Sequence, residues 1–93
     1  MKKRDFDFIK SIIKRDKATV DEIYLYLGEE VGEVAHAIAA ERGLKRNDLK
    51  EPPKSECVDV IISSLGLFAK LGGTYKEFGK IFDKKSRKWD SRV

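Results

Sequence analysis

Apolar residues recur at three- and four-residue intervals through most of this chain, a spacing that places them along one face of an α-helix. Phe6, Phe8, Ile9, Ile12 and Ile13 give a short amphipathic segment over about residues 5 to 16. Val20, Ile23, Leu27, Val31, Val34 and Ile38 form one stripe on a second helix, from about 20 to 42, which Gly43 stops. A polar linker with Pro52-Pro53 separates it from a third helix that starts near Ser55 and closes at Gly72-Gly73. The last helix spans about residues 75 to 90. Thr19-Val-Asp-Glu22 and Thr74-Tyr-Lys-Glu77 have the form of capping boxes, in which Thr and Glu side chains satisfy the free N–H groups of a helix start. No alternating Val/Ile/Thr run suggests a strand. The expected fold is therefore a single all-α domain over residues 1–93, a four-helix bundle.

The third helix changes that picture. Val58, Val60, Ile61, Ile62, Leu65, Leu67, Phe68 and Leu71 surround most of its circumference and spare one sector, shared by Glu56, Asp59, Ser63, Gly66 and Lys70. The expectation is a helix buried on every side except that polar stripe. So much covering is more than one 93-residue subunit supplies, which points to a homodimer that completes the bundle.

Charge is arranged unevenly. The formal net charge is +4, with Lys and Arg concentrated at the two ends and acids in the middle. Basic ends of this kind serve either as solvated helix faces or as phosphate contacts. Cys57 is the only cysteine, so neither an intrachain disulfide nor a Cys/His zinc cluster can form. The amino terminus does not read as a secretory signal, and no apolar run approaches the roughly 20 residues of a membrane span. A soluble, cytoplasmic protein is the expectation.

Two acidic clusters remain to be explained, Glu29-Glu30-Val-Gly-Glu33 and Glu56-Cys-Val-Asp59. At helical spacing they create like-charge pairs that cost roughly 0.2 to 0.5 kcal/mol each when solvated, and more when buried. A divalent cation removes that penalty, and hard cations such as Mg2+ prefer carboxylate oxygens. On the second helix Glu30 lies at the edge of the apolar stripe and Glu33 slightly beyond it, while Glu29 points outward. His36, the single histidine, falls on the side opposite the stripe. Glu56 and Asp59 also sit where acids favour a helix start through its dipole.

The paired motif E-E-x-x-E and E-x-x-D on consecutive helices resembles the all-α nucleotide pyrophosphohydrolases of the MazG type, with the related dimeric dUTPases and dCTP pyrophosphatases. Leu27-Gly-Glu29-Glu30-Val-Gly-Glu33-Val-Ala is similar to the first signature, Glu56-Cys-Val-Asp59-Val-Ile to the second, and Leu67-Phe-Ala-Lys-Leu-Gly72 to the apolar stretch and glycine that follow. The resemblance covers about residues 20 to 90. It implies hydrolysis of a nucleoside triphosphate to the monophosphate and pyrophosphate, with Mg2+ as cofactor and Mn2+ as a substitute. Glu30, Glu33, Glu56 and Asp59 would be the metal ligands. Glu29 would assist, as a further ligand or as the acceptor that orients water. Because metal-bound water supplies the nucleophile, the lack of a Ser/His/Asp or Cys/His constellation does not argue against an enzyme.

Acids repel phosphate, so a positive contribution is expected from elsewhere. Lys85-Ser86-Arg87-Lys88-Trp89 on the fourth helix is similar to the family's basic motif, with Ser86 standing where an Asn is expected. Lys85 is the first choice for phosphate contact, followed by Arg87 and Lys88. Lys70 is an alternative that can equally pair with an acid. Trp89 either stacks on a base or packs on a neighbouring helix. The expected partners are a nucleoside triphosphate and a second copy of the chain, in a dimer or a tetramer, with no membrane and no nucleic acid. Two other readings stay open. One is phosphoribosyl-ATP pyrophosphohydrolase, whose second motif carries an Ala-Asp and a Tyr-His pair absent from Val58-Asp59-Val60-Ile61-Ile62-Ser63. The other is a helical dimer without enzymatic activity that binds a partner or nucleic acid through its basic ends, against which the central acids would repel a phosphate backbone.

Overall fold

A computed structural model describes residues 1–44 and 51–93. Among these residues there are four helices and no strand: α1 (Lys3–Arg15), α2 (Val20–Glu41), α3 (Pro53–Lys70) and α4 (Tyr75–Asp90). Both expected capping boxes are formed. Thr19 and Thr74 accept from the backbone N–H of Glu22 and Glu77, and each Glu carboxylate accepts in return from the Thr N–H. That reciprocal bonding holds the Glu22 carboxyl below its usual range. Helices α2 and α3 both end in Schellman turns. Leu44 N–H bonds to the Ala39 carbonyl and Gly73 N–H to the Phe68 carbonyl, with Gly43 and Gly72 at φ 71° and 91°, a left-handed conformation that residues with a Cβ avoid. One boundary differs from expectation. Helix α3 begins at Pro53 rather than near Ser55, because a proline at the first helical position loses no hydrogen bond and already has a helical φ.

Helix α3 is the centre of the molecule, with α2 and α1 packed against it. Near α1 the approach is close: a Cβ on Gly66 would lie 2.9 Å from Ile13 Cδ1. Phe6, the largest fully buried side chain, joins the helices through an aromatic cluster. Its ring centroid lies 6.2 Å from Phe68, 5.7 Å from Tyr75 and 6.4 Å from Phe78. The Tyr75 hydroxyl also donates to the Met1 carbonyl at 3.0 Å. These contacts hold the beginning of α4. Beyond them α4 stands away from α3, and no Cα of one comes within 8 Å of a Cα of the other, whereas packed helix axes lie 8–10 Å apart. Open apolar grooves of about 920 and 460 Å³ lie between the two helices.

Two expectations about helix faces are corrected. On α2 the residues turned toward α3 are Ile23, Glu30 and Ala37, seven apart and therefore nearly in line, while Val20, Val31 and Ile38 of the expected stripe are exposed. Glu30 is thus within the helix–helix contact rather than at its edge. On α3 the inversion is larger. The polar stripe expected to be uncovered is the covered one: Glu56 and Gly66 are buried, and Asp59 and Ser63 are half-buried. Val58, Ile61, Ile62 and Leu71 face outward instead, with Ile61 56 % exposed. On the α1 side the physical reason is geometric, since Gly66 has no side chain and so admits Ile13.

Candidate metal centre

The acids meet because α2 and α3 run antiparallel. Along the pair, Tyr26 and Ile62 line one small cavity, and one turn further Glu30 and Glu33 reach the level of Asp59 and Glu56. Carboxylate oxygens of Glu30, Glu33 and Glu56 all lie within 4.8 Å of one another. Glu51, Glu56 and Asp59 satisfy the same condition, so Glu56 belongs to both groups.

Burial makes this convergence costly. Glu56 is 2 % exposed, and its Oε2 has no hydrogen-bond partner; Glu30 Oε2 is likewise buried and unpartnered. Loss of hydration pushes the Glu56 carboxyl up to about 7, helped by a hydrogen bond shared with Glu33 and by the charges of Glu33, Glu51 and Asp59. Glu30 is raised for the same first reason, with Glu33, Asp59 and Glu29 adding to it. The leading influences on both carboxyls all act upward. Carboxyl oxygens without partners, turned toward one another and away from water, suit a hard divalent cation, which takes oxygen donors and supplies the missing positive charge. The residues present therefore fit such an ion.

The remaining predicted residues lie apart from this cluster. Glu29 is exposed and belongs to neither group. Lys70 is exposed at the end of α3, fourteen residues and about 21 Å of helix from Glu56. Lys85 and Trp89 line the smaller α3–α4 groove, and Trp89 is 71 % exposed. Arg87 is paired with Asp83, its Nε 3.0 Å from both carboxylate oxygens, and Lys88 is exposed. His36 is half-buried with an unpartnered Nε2 rather than fully outward. Sequence reasoning missed Glu51. The only signal for it was its position directly before Pro52-Pro53, where the chain is held extended and close to the first turn of α3. No described helix is long and apolar enough to cross a membrane. Compared with known proteins, the chain matches no family model, no curated protein and no solved structure.

Proposed function

We propose that this chain is a divalent-cation-dependent nucleotide pyrophosphohydrolase, which cleaves a nucleoside triphosphate to the monophosphate and pyrophosphate in a house-cleaning role and works as a homodimer. The observation that carries the reading is the meeting of Glu30, Glu33, Glu56 and Asp59 between two helices, with buried carboxylate oxygens that have no partner.

Glu30, Glu33, Glu56 and Asp59 would hold Mg2+, with Mn2+ as substitute. When bound, the cation supplies an activated water for attack on the α-phosphorus and neutralises charge on the departing pyrophosphate. The chain's own residues prepare for this. Burial raises the Glu30 carboxyl and pushes that of Glu56 up to about 7, so loading displaces the Glu56 proton and affinity rises with pH through the neutral range. Glu29, exposed beside Glu30, would assist as a further ligand or as the acceptor that orients the attacking water. Lys85 is the first phosphate contact, ahead of Arg87, Lys88 and Lys70; Arg87 must exchange its bond to Asp83 for one to phosphate. Trp89 is free to stack on a base.

Surface area supports the dimer. A compact monomer of this mass exposes about 5,500 Å², whereas this chain exposes 7435 Å². Its radius of gyration is 15.3 Å, against about 12 Å for a compact domain of this length. The excess falls within what one subunit buries in an obligate homodimer, about 1,000 to 2,500 Å². Ile61 and Phe82 along the larger α3–α4 groove are its natural apolar contribution.

The test is release of pyrophosphate and monophosphate from a panel of ribo- and deoxyribonucleoside triphosphates and phosphoribosyl-ATP, with Mg2+ and with chelator. Metal-dependent release from a triphosphate is the expected result. Folded protein that releases none with Mg2+ would overturn the reading.

A further inference from the structure

Beside the acids, the seam between α2 and α3 opens into a small cavity of different chemistry. It lies between α1, α2 and α3 and measures about 170 Å³. Tyr26 of α2 and Ser63 of α3 are on its wall, and each stands four residues from an acid of the centre, Tyr26 from Glu30 and Ser63 from Asp59. Four residues of helix are about one turn, or about 6 Å of rise. A sugar bridges a gap of that order between a base and its α-phosphate. A nucleotide whose α-phosphate is held at the acids therefore brings its base to this cavity.

The walls suit a flat ring with polar edges. Five isoleucines and the Tyr26 ring supply apolar surface, while the hydroxyls of Tyr26 and Ser63 and the carboxylate of Asp16 are the polar groups. Asp16 is steadied by its Oδ1, which accepts from the Ala18 N–H at 3.3 Å. A hydroxyl can donate to a ring carbonyl or nitrogen, and a carboxylate can accept from a ring N–H or an amino group. Size restricts the ring further. An apolar cavity of about 150 Å³ takes one benzene molecule, so this cavity admits a six-membered ring with its small substituents and is too small for a fused pair. The limit is set where Ile13 meets Gly66. A Cβ on Gly66 would lie 2.9 Å from Ile13 Cδ1, so only glycine lets the Ile13 side chain lie against α3 and fill the space that a second ring would need.

We infer that this cavity seats the base of the substrate and that Ile13, packed on Gly66, limits it to one ring, so that the substrates are pyrimidine nucleoside triphosphates. The base is then seated apart from Trp89, which lines the smaller α3–α4 groove. The inference rests on the pyrophosphohydrolase reading above, and its test separates the two. The measurement is kcat/KM for pyrophosphate release with Mg2+ from pyrimidine and purine triphosphates, in ribo and deoxy forms. Wild type is expected to favour pyrimidines by about tenfold or more, the scale on which a pocket discriminates by fit. Ile13→Ala enlarges the cavity and is expected to bring that ratio close to one. Unfolded molecules lower both rates alike, so the ratio reports the cavity and not stability. Ile62→Ala removes a wall residue that is 47 % exposed and is expected to move the ratio in the same direction at less cost to the fold. Phe8→Ala, also on an exposed side chain but outside the cavity, is expected to keep the wild-type ratio. Saturation-transfer NMR with the uncharged nucleosides cytidine and adenosine repeats the comparison without metal or turnover, and stronger transfer to adenosine would overturn the one-ring limit. Purines cleaved as well as pyrimidines by wild type, or a ratio that both isoleucine variants leave unchanged, would also overturn it and leave the pyrophosphohydrolase standing. No release from any triphosphate by folded wild type would overturn both.

Discussion

Helix α3 presents opposite chemistry to its two sides. Toward α2 it turns carboxylates into a buried contact, with Glu56 and Asp59 against Glu30 and Glu33. Toward α4 it turns Val60, Ile61 and Leu65 into an open groove that Phe78 and Phe82 line from across the gap, with Phe82 61 % exposed. Polar groups inside and apolar groups outside reverse the arrangement that favours an isolated chain. The difference teaches that each side lacks something the other does not. Charge compensation would complete the α2–α3 side, and apolar covering would complete the α3–α4 side. Each can therefore be broken without the other.

The largest effect is expected on the carboxylate side. Glu33→Gln or Asp59→Asn should lower pyrophosphate release by more than about 100-fold, the upper end of what even outer partners of metal ligands cost, while helicity by circular dichroism and the oligomeric state stay as in wild type. Unchanged turnover in either variant would remove the proposed centre. On the groove side, Phe82→Asp should weaken self-association by about 2 kcal/mol or more, as for a central apolar anchor, measured by sedimentation equilibrium. A wild-type chain that sediments as a monomer, or a dimer that Phe82→Asp leaves intact, would mean that the groove is not the interface.

The two sides also answer differently to pH. The Glu56 carboxyl keeps its proton up to about 7 in the folded chain but loses it near 4.5 when unfolded. Between those values the folded state binds more protons, so this group's contribution to stability falls as pH rises. In chelator, wild type should therefore lose melting temperature between pH 5 and pH 8 relative to Glu56→Gln, which carries no such proton. Mg2+ should remove that loss, because the ion binds the deprotonated form. Parallel melting curves for wild type and Glu56→Gln across this range would show that burial of Glu56 is not a source of instability. The smallest effect belongs to neither side. Thr19→Ala removes one half of the α2 capping box and should cost about 1 kcal/mol in urea unfolding, with turnover per folded molecule unchanged. A loss of turnover would show that the entry to α2 also positions the acids.

Local signals in the chain determined most of what local physics controls. Thr19 with Glu22 and Thr74 with Glu77 set two helix starts, and Gly43 and Gly72 set two helix ends, because capping and left-handed turns depend on a few neighbouring residues. The acids of the metal centre were legible for a similar reason, since E-E-x-x-E and E-x-x-D repeat carboxylates at the helical period. Direction was not legible. An apolar stripe shows that a helix has a buried face, but α3 is apolar around most of its circumference, and its pattern alone cannot choose which sector meets α2. Packing made that choice through Gly66, whose missing side chain admits Ile13, and through Ile23 and Ala37, which bring α2 against the carboxylate stripe. Glu51 entered the centre only through the tertiary structure, because its neighbours there, Glu56 and Asp59, lie beyond two prolines and on a different element. Spacing along a helix is a property of the chain; which faces meet is decided by every helix at once.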